Sequence, residues 1–215
     1  MIKIIGHRGA SGYAPENTLL SFQKAIEFGC DAIELDVRLS KDDKLVVIHD
    51  RRVDRTTNGK GSVSKMTLAE IKLLDCDKNQ KVPILQEVID ICDINLQIEL
   101  KVEGTPFPVY NTIIKNNILS RTLVISFDAG LLEEIKNLDP NIKTGFLFRR
   151  RTRKAWKGYN SICPESSIVN KEMVDKAHGL GMEVYVYNVD DKALAEYLID
   201  WGVDGIGTDY PDLLK

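Results

Sequence analysis

The run Ala32-Ile33-Glu34-Leu35-Asp36-Val37 is apolar except for a carboxylate at every second position. Val and Ile favour a strand, and side chains two apart on a strand share a face. A second run, Leu96-Gln97-Ile98-Glu99-Leu100-Lys101, repeats the pattern. Outward from these two, similar runs recur along the whole chain. The strand candidates are Ile2 to Gly6, Ala32 to Val37, Asn95 to Leu100, Thr122 to Phe127, Lys143 to Phe148, Ser161 to Cys163, Glu183 to Tyr187 and Asp204 to Gly207. Helix-periodic segments lie between them: Thr18 to Phe28, Ile84 to Cys92, Gly130 to Leu138, Lys171 to Leu180 and Lys192 to Trp201. Alternating β and α with apolar strands implies a parallel sheet, and eight such strands imply an α/β fold closed as a (β/α)8 TIM-type barrel. The alternative, an open doubly wound sheet, lacks a G-x-G-x-x-G after the first strand.

The chain of 215 residues reads as a single barrel domain spanning 1–215. Hydrophobic residues make up 43% and charged residues 28%, the balance of a folded globular protein. Lys plus Arg number 29 against 32 Asp plus Glu, so there is no basic excess and nucleic acid is not an expected partner. No apolar run approaches ~18 residues, so stable membrane insertion is not expected. The start, Met-Ile-Lys-Ile-Ile-Gly, does not read as a signal peptide. Cys30, Cys76, Cys92 and Cys163 show no C-x-x-C spacing and read as buried free thiols. Together these point to a cytoplasmic protein.

Leu45 to Ile48 is a further strand candidate, too close to Val37 for a parallel crossover but suited to a hairpin turning at Asp42-Asp43. A turn centred there places His49 opposite Asp36. From about 50 to 82 no strand signal appears; Thr67-Leu68-Ala69-Glu70 reads as a capping-box helix start. So long a loop is expected to cover or shape a site. Arg149 to Lys154 is the one concentrated charge run.

Residues at the C-terminal ends of barrel strands converge on one mouth. Collected there are His7, Arg8, Glu34, Asp36, Glu99, Lys101, Ser126, Phe127, Asn188, Thr208 and Asp209. Glu34, Asp36 and Glu99 facing one point suit a hard divalent cation, Mg2+, Ca2+ or Mn2+, since all offer oxygen. The packing alternative is buried ion pairs with Arg8, Arg38 and Lys101. Two of the three histidines, His7 and His49, fall at this mouth, where imidazoles divide acid and base work near neutrality. His178, before Gly179 at a helix end, reads as a surface residue. With Arg8 and Lys101 adding positive charge, a phosphate ester is the natural substrate.

The stretches G-H-R-G-A-S-G-Y-A-P-E-N-T (Gly6 to Thr18), E-L-D-V (Glu34 to Val37) and V-V-I-H-D (Val46 to Asp50) resemble the glycerophosphodiester phosphodiesterases. So do D-R-T-T-N-G-K-G (Asp54 to Gly61), I-E-L-K (Ile98 to Lys101), I-S-F (Ile125 to Phe127) and G-V-D-G-I-G-T-D-Y-P (Gly202 to Pro211). The resemblance implies a barrel enzyme that hydrolyses glycerophosphodiesters to sn-glycerol 3-phosphate and an alcohol with a divalent cation. It matches His7 and His49 to the acid/base pair, and Glu34, Asp36 and Glu99 to metal ligands. Arg8 and Lys101 match phosphate contacts, Phe127 and Tyr185 substrate-contacting aromatics, and the segment after His49 the family's insertion. Two departures stand out. Pro83-Ile84-Leu85-Gln86-Glu87 replaces P-T-L-E-E, away from the mouth, and Tyr185-Val186-Tyr187-Asn188 replaces W-T-V-N at the pocket wall.

A second enzyme reading is a lysophospholipase D-type phosphodiesterase, for which the Arg149 to Lys154 run beside Trp156 would make weak contact with an anionic lipid surface. A non-catalytic binding barrel would have lost a histidine or an acid, and none is lost. An amidohydrolase would carry H-x-H on the first strand, where this chain has His7-Arg8-Gly9.

Overall fold

The computed structural model describes residues 2–150, 156 and 158–213. Its strands are β1 (Lys3–Gly6), β2 (Ala32–Leu39), β3 (Leu45–Val47), β4 (Asn95–Leu100), β5 (Thr122–Ser126), β6 (Lys143–Phe148), β7 (Ser161–Pro164), β8 (Glu183–Val186) and β9 (Gly205–Thr208). All except β3 pair in parallel in the order β1-β9-β8-β7-β6-β5-β4-β2, and the β1–β2 pairing closes the barrel. The helices are α1 (Leu19–Glu27), α2 (Leu68–Leu73), α3 (Leu85–Ile91), α4 (Pro106–Lys115), α5 (Ala129–Leu138), α6 (Lys171–Gly179) and α7 (Lys192–Asp200).

The period-two alternation of the strands sorts the side chains. On β2, Ile33, Leu35 and Val37 are fully buried in the layer that packs the barrel wall against the helices. The intervening positions face the barrel axis. Inside, Ile5, Ala32, Ile125, Leu147, Cys163 and Tyr185 form a separate apolar plug below the mouth. This plug fills the barrel, so polar side chains reach solvent only at the strand ends.

Helix α4 has no counterpart among the helices expected from sequence. It opens on Pro106, at a position in the first turn where a missing N–H costs nothing. Between β6 and β7 no helix occurs among the described residues, and residues 151–155 and 157 lie outside them. The four cysteines are buried.

The hairpin differs from expectation by one residue. Val37 pairs with Val47 and Leu39 with Leu45, so Ile48, whose N donates to the Asp36 carbonyl at 3.0 Å, takes the place expected for His49. The cause is a three-residue loop. Asp43 N donates to Ser40 O, and Asp43 itself takes φ 56°, the left-handed step that closes such a loop. Beyond the hairpin, Val46, Ile48, Val53, Val63, Ile71, Cys76 and Val82 form a small core of their own. Thr67 and Glu70 make the expected capping box at the start of α2.

Candidate active site

Three carboxylates meet at the C-terminal ends of β2 and β4, where the register sets Asp36 beside Glu99 and Glu34 beside Gln97. One oxygen from each of Glu34, Asp36 and Glu99 lies within 4.8 Å of the others, and all three residues are buried. Like charges so placed resist ionisation. Burial and the neighbouring Asp36 charge push Glu34 up to about 7 and Glu99 up to about 8. Asp36 moves the other way. Burial opposes its charge, but Lys101 and Arg8 more than offset that and hold it well below the usual carboxylate range.

The surroundings pre-orient these acids. Asn17, buried and at φ 56°, donates through Nδ2 to Asp36 Oδ2 at 2.7 Å, and the Arg8 backbone N donates to Glu34 Oε2 at 2.9 Å. Lys101 Nζ stands 2.8 Å from Glu99 Oε1 and 3.2 Å from Asp36 Oδ1, which accepts no well-formed hydrogen bond. The ion pairs weighed in the sequence thus exist for Arg8 and Lys101, whereas Arg38 donates to the His49 carbonyl at 2.8 Å. They do not complete the site, because a buried lone pair on Asp36 and two near-neutral glutamates remain. An all-oxygen donor set with spare electron pairs fits a hard divalent cation.

Arg8 reaches this point by a forced turn. Arg8 and Gly9 both take positive φ, 53° and 81°, and a Cβ at Gly9 would sit 2.5 Å from Ser21. The turn continues β1 into a loop that wraps over α1, where the Ser21 hydroxyl donates to the Arg8 carbonyl at 2.9 Å.

Each histidine is braced through Nδ1 by a carboxylate, which leaves Nε2 for a ligand. His7 Nδ1 lies 2.7 Å from Asp209 Oδ1, an oxygen that also accepts from Ser11 at 2.7 Å and Asn188 at 3.1 Å. His49 Nδ1 lies 2.6 Å from Asp50 Oδ1. Asp50 is gripped by Arg55, whose guanidinium also holds Glu16 at 2.6 and 2.8 Å, and Glu16 in turn accepts from Arg8 at 2.7 Å. The insertion is therefore wired to the first βα loop. The two imidazoles titrate apart. Burial works against the His7 cation, but the Asp209 bond and the Glu34 charge raise its pKa. At His49 burial prevails, aided by Lys101 and Arg8 against Asp36, and its pKa falls.

The structure thus brings His7, Arg8, Glu34, His49, Glu99, Phe127 and Tyr185 to one cavity, with Asp36 and Lys101 directly beside it. Tyr185 reaches this cavity from below the mouth. Its ring belongs to the apolar plug, while its hydroxyl donates to Glu183 at 2.9 Å and accepts from Lys3 at 2.8 Å, at the opposite end of the barrel. Tyr187, one inward position further along, stands at the mouth and meets Phe127 edge-on with ring centroids 6.2 Å apart. His178 bonds Asp204 at 2.9 Å on the surface, and Gln86 and Glu87 are engaged within and around α3. Of the basic run, Arg151 to Lys154 lie outside the described residues, and Trp156 is buried against Phe148 rather than offered to a surface. Asn17, Asp50, Arg55 and Glu16 had no sequence signal beyond lying in quoted motifs, while Asn188 and Asp209 were placed at the mouth without a role.

A closed parallel barrel with acids and histidines gathered at the C-terminal ends of its strands has the layout of a hydrolytic barrel enzyme. The chain belongs to the glycerophosphoryl diester phosphodiesterase family, whose model matches residues 7–213. It is 37% identical to a glycerophosphodiester phosphodiesterase of Caldanaerobacter subterraneus subsp. tengcongensis, over 98% of this chain and 95% of that one. It is 34% identical to a glycerophosphodiester phosphodiesterase of Bacillus subtilis, over 99% and 85%. Among solved structures it superposes with a TM-score of 0.89, at 30% identity over 98% and 94% of the two chains, on an Oleispira antarctica phosphodiesterase in complex with the product sn-glycerol-3-phosphate.

Proposed function

We propose that this protein hydrolyses glycerophosphodiesters to sn-glycerol 3-phosphate and an alcohol, with His7 and His49 as the proton-transfer pair. The observation that carries this reading is the pair of carboxylate-braced imidazoles beside a buried three-acid centre, in a chain of this family. The product complex of the Oleispira relative supports it. The chain works as one barrel domain with its insertion at about 50–82. The buried thiols of Cys76, Cys92 and Cys163 support a reducing, cytoplasmic setting, and no described helix is long and apolar enough to cross a membrane.

Glu34, Asp36 and Glu99 would hold the cation, Mg2+, Ca2+ or Mn2+, which when bound supplies charge to neutralise the phosphate oxygens. Arg8 and Lys101 flank the same point and orient the phosphate. His49, whose lowered pKa favours the neutral form, takes the proton of the attacking oxygen, either water directly or the glycerol 2-hydroxyl, the latter giving a cyclic phosphate that a water molecule then opens. His7, whose raised pKa favours the protonated form, gives its proton to the leaving alkoxide at Nε2. Asp209 and Asp50 fix the two rings.

The test is release of glycerol 3-phosphate from glycerophosphocholine and glycerophosphoglycerol with each cation in turn or with EDTA, for wild type and His49→Ala. Cation-dependent release that disappears in the variant is expected. No release from folded protein with any cation would overturn the reading.

A second expected result concerns the cation alone. It must displace protons from Glu34 and Glu99, whose pKa values are raised to about 7 and 8. Affinity should therefore rise with pH up to about 8, and weaken by at least about tenfold per unit of acidification between pH 7 and 6. Calorimetric titration with Mg2+ or Mn2+ at pH 6, 7 and 8 measures this; a flat profile would place the cation elsewhere.

A further inference from the structure

The mouth cavity continues into an open groove of about 540 Å³ that shares His49, Phe127, Leu147 and Arg149 with it. Four cations line this groove, Arg38, Lys101, Arg149 and Arg150, and among the described residues no carboxylate lines it. Glu165, just after β7, accepts from Ser167 at 3.0 Å and is not among the groove's lining residues. Of the aromatic rings lining the groove, Phe127 already carries cations, while Phe146 and Phe148 are buried and stack on each other. Arg149 lies 5.0 Å and Lys101 6.0 Å from the centroid of Phe127. The Tyr187 hydroxyl, shielded from solvent and without a well-formed hydrogen bond, lies close to Arg149, whose charge opposes the rise that burial causes in its pKa.

On the far side of the mouth, the groove bearing Glu16, Asp75 and Asp77 contains none of the three acids or two histidines of the centre. The cationic groove is the one continuous with the reacting point. The glycerol moiety, common to all substrates of the proposed reaction, suits the enclosed part of the mouth. The variable alcohol must then leave through the open part. We infer that the groove of Arg38, Lys101, Arg149 and Arg150 is the alcohol subsite, and that it selects glycerophosphodiesters whose alcohol carries a second anionic group, such as a phosphate monoester. This rests on the phosphodiesterase reading above and names its substrate class.

The experiment compares kcat/KM for glycerophosphocholine, glycerophosphoglycerol and glycerophosphoglycerol bearing a terminal phosphate, with the divalent cation in excess. The phosphorylated substrate should be preferred over glycerophosphocholine by roughly tenfold, as two partly exposed ion pairs allow, and the preference should shrink in added salt. Arg149→Ala should lower the ratio of phosphorylated to unphosphorylated glycerophosphoglycerol turnover by roughly fivefold. Arg149→Glu should tilt the series toward glycerophosphocholine. Equal kcat/KM across the series, or an unchanged ratio in Arg149→Ala, would overturn the inference while leaving the phosphodiesterase reading in place. No glycerol 3-phosphate from any substrate would overturn that reading and the inference with it. Loss of binding to phosphatidylglycerol vesicles in Arg149→Ala with an unchanged substrate ratio would assign these cations to a lipid surface instead.

Discussion

His7→Ala should lose about 10²- to 10⁴-fold in kcat on glycerophosphoglycerol yet keep most of its activity on a 4-nitrophenyl glycerophosphate, whereas His49→Ala should lose both. The reason is the unequal setting of the two rings. Asp209 and Glu34 favour the protonated form of His7, which makes it a proton donor. Burial with Lys101 and Arg8 favours neutral His49, which makes it an acceptor. A nitrophenolate leaves without a proton, so the donor becomes dispensable while the acceptor does not. Initial rates of the two variants on both substrates decide the matter. The reverse pattern, with His49→Ala rescued by the activated ester, would exchange the two roles.

Replacing Glu34 or Glu99 by Gln should remove activity by at least about 10³-fold while making the cation-free protein more stable at pH 8. Both acids have raised pKa values in the folded protein, about 7 and about 8 against an ordinary 4.5. For such groups, the stabilising contribution is fully present below the unfolded value and is lost as pH rises through the folded one. At pH 8 the cation-free wild type therefore bears the cost of buried like charges, which an amide does not. At pH 5 both forms are neutral there and the difference should close. Asp36 is the opposite case, because its charge offsets Arg8 and Lys101. Asp36→Ala should therefore destabilise by about 3–5 kcal/mol, the usual cost of stranding buried charge. Thermal melts with and without Mn2+ at the two pH values check all three variants. A Glu34→Gln protein no more stable than wild type at pH 8 would show that the three acids do not repel as placed.

The elements differ in how far they could be read from residues alone. The eight barrel strands were legible because each is a short β-branched run whose alternation survives in isolation. Helix α4 was not, because proline in a first turn and proline as a breaker look alike without knowledge of where the helix begins. His49 was placed at the mouth by a hairpin whose register then proved one residue different. A left-handed Asp43 sets the loop length, and nothing local in Lys41-Asp42-Asp43 distinguishes a two-residue from a three-residue turn. The histidine still arrives, because Arg38 holds its carbonyl where the chain leaves the ladder.

By itself the sequence determined the barrel, the side of it on which chemistry collects, and the shared face of Glu34 with Asp36 and of Glu99 with Lys101. These follow from periodicity, which is a property of neighbours along the chain. The tertiary structure decided the depth at which each of two tyrosines meets the cavity, since Tyr185 and Tyr187 share a face and both line it. It also joined Asn17 to Asp36 and Arg55 to both Asp50 and Glu16. The Asn17–Asp36 and Arg55–Glu16 contacts link different segments of the chain, and only the packing of the first βα loop against β2 and the insertion brings them within hydrogen-bond reach.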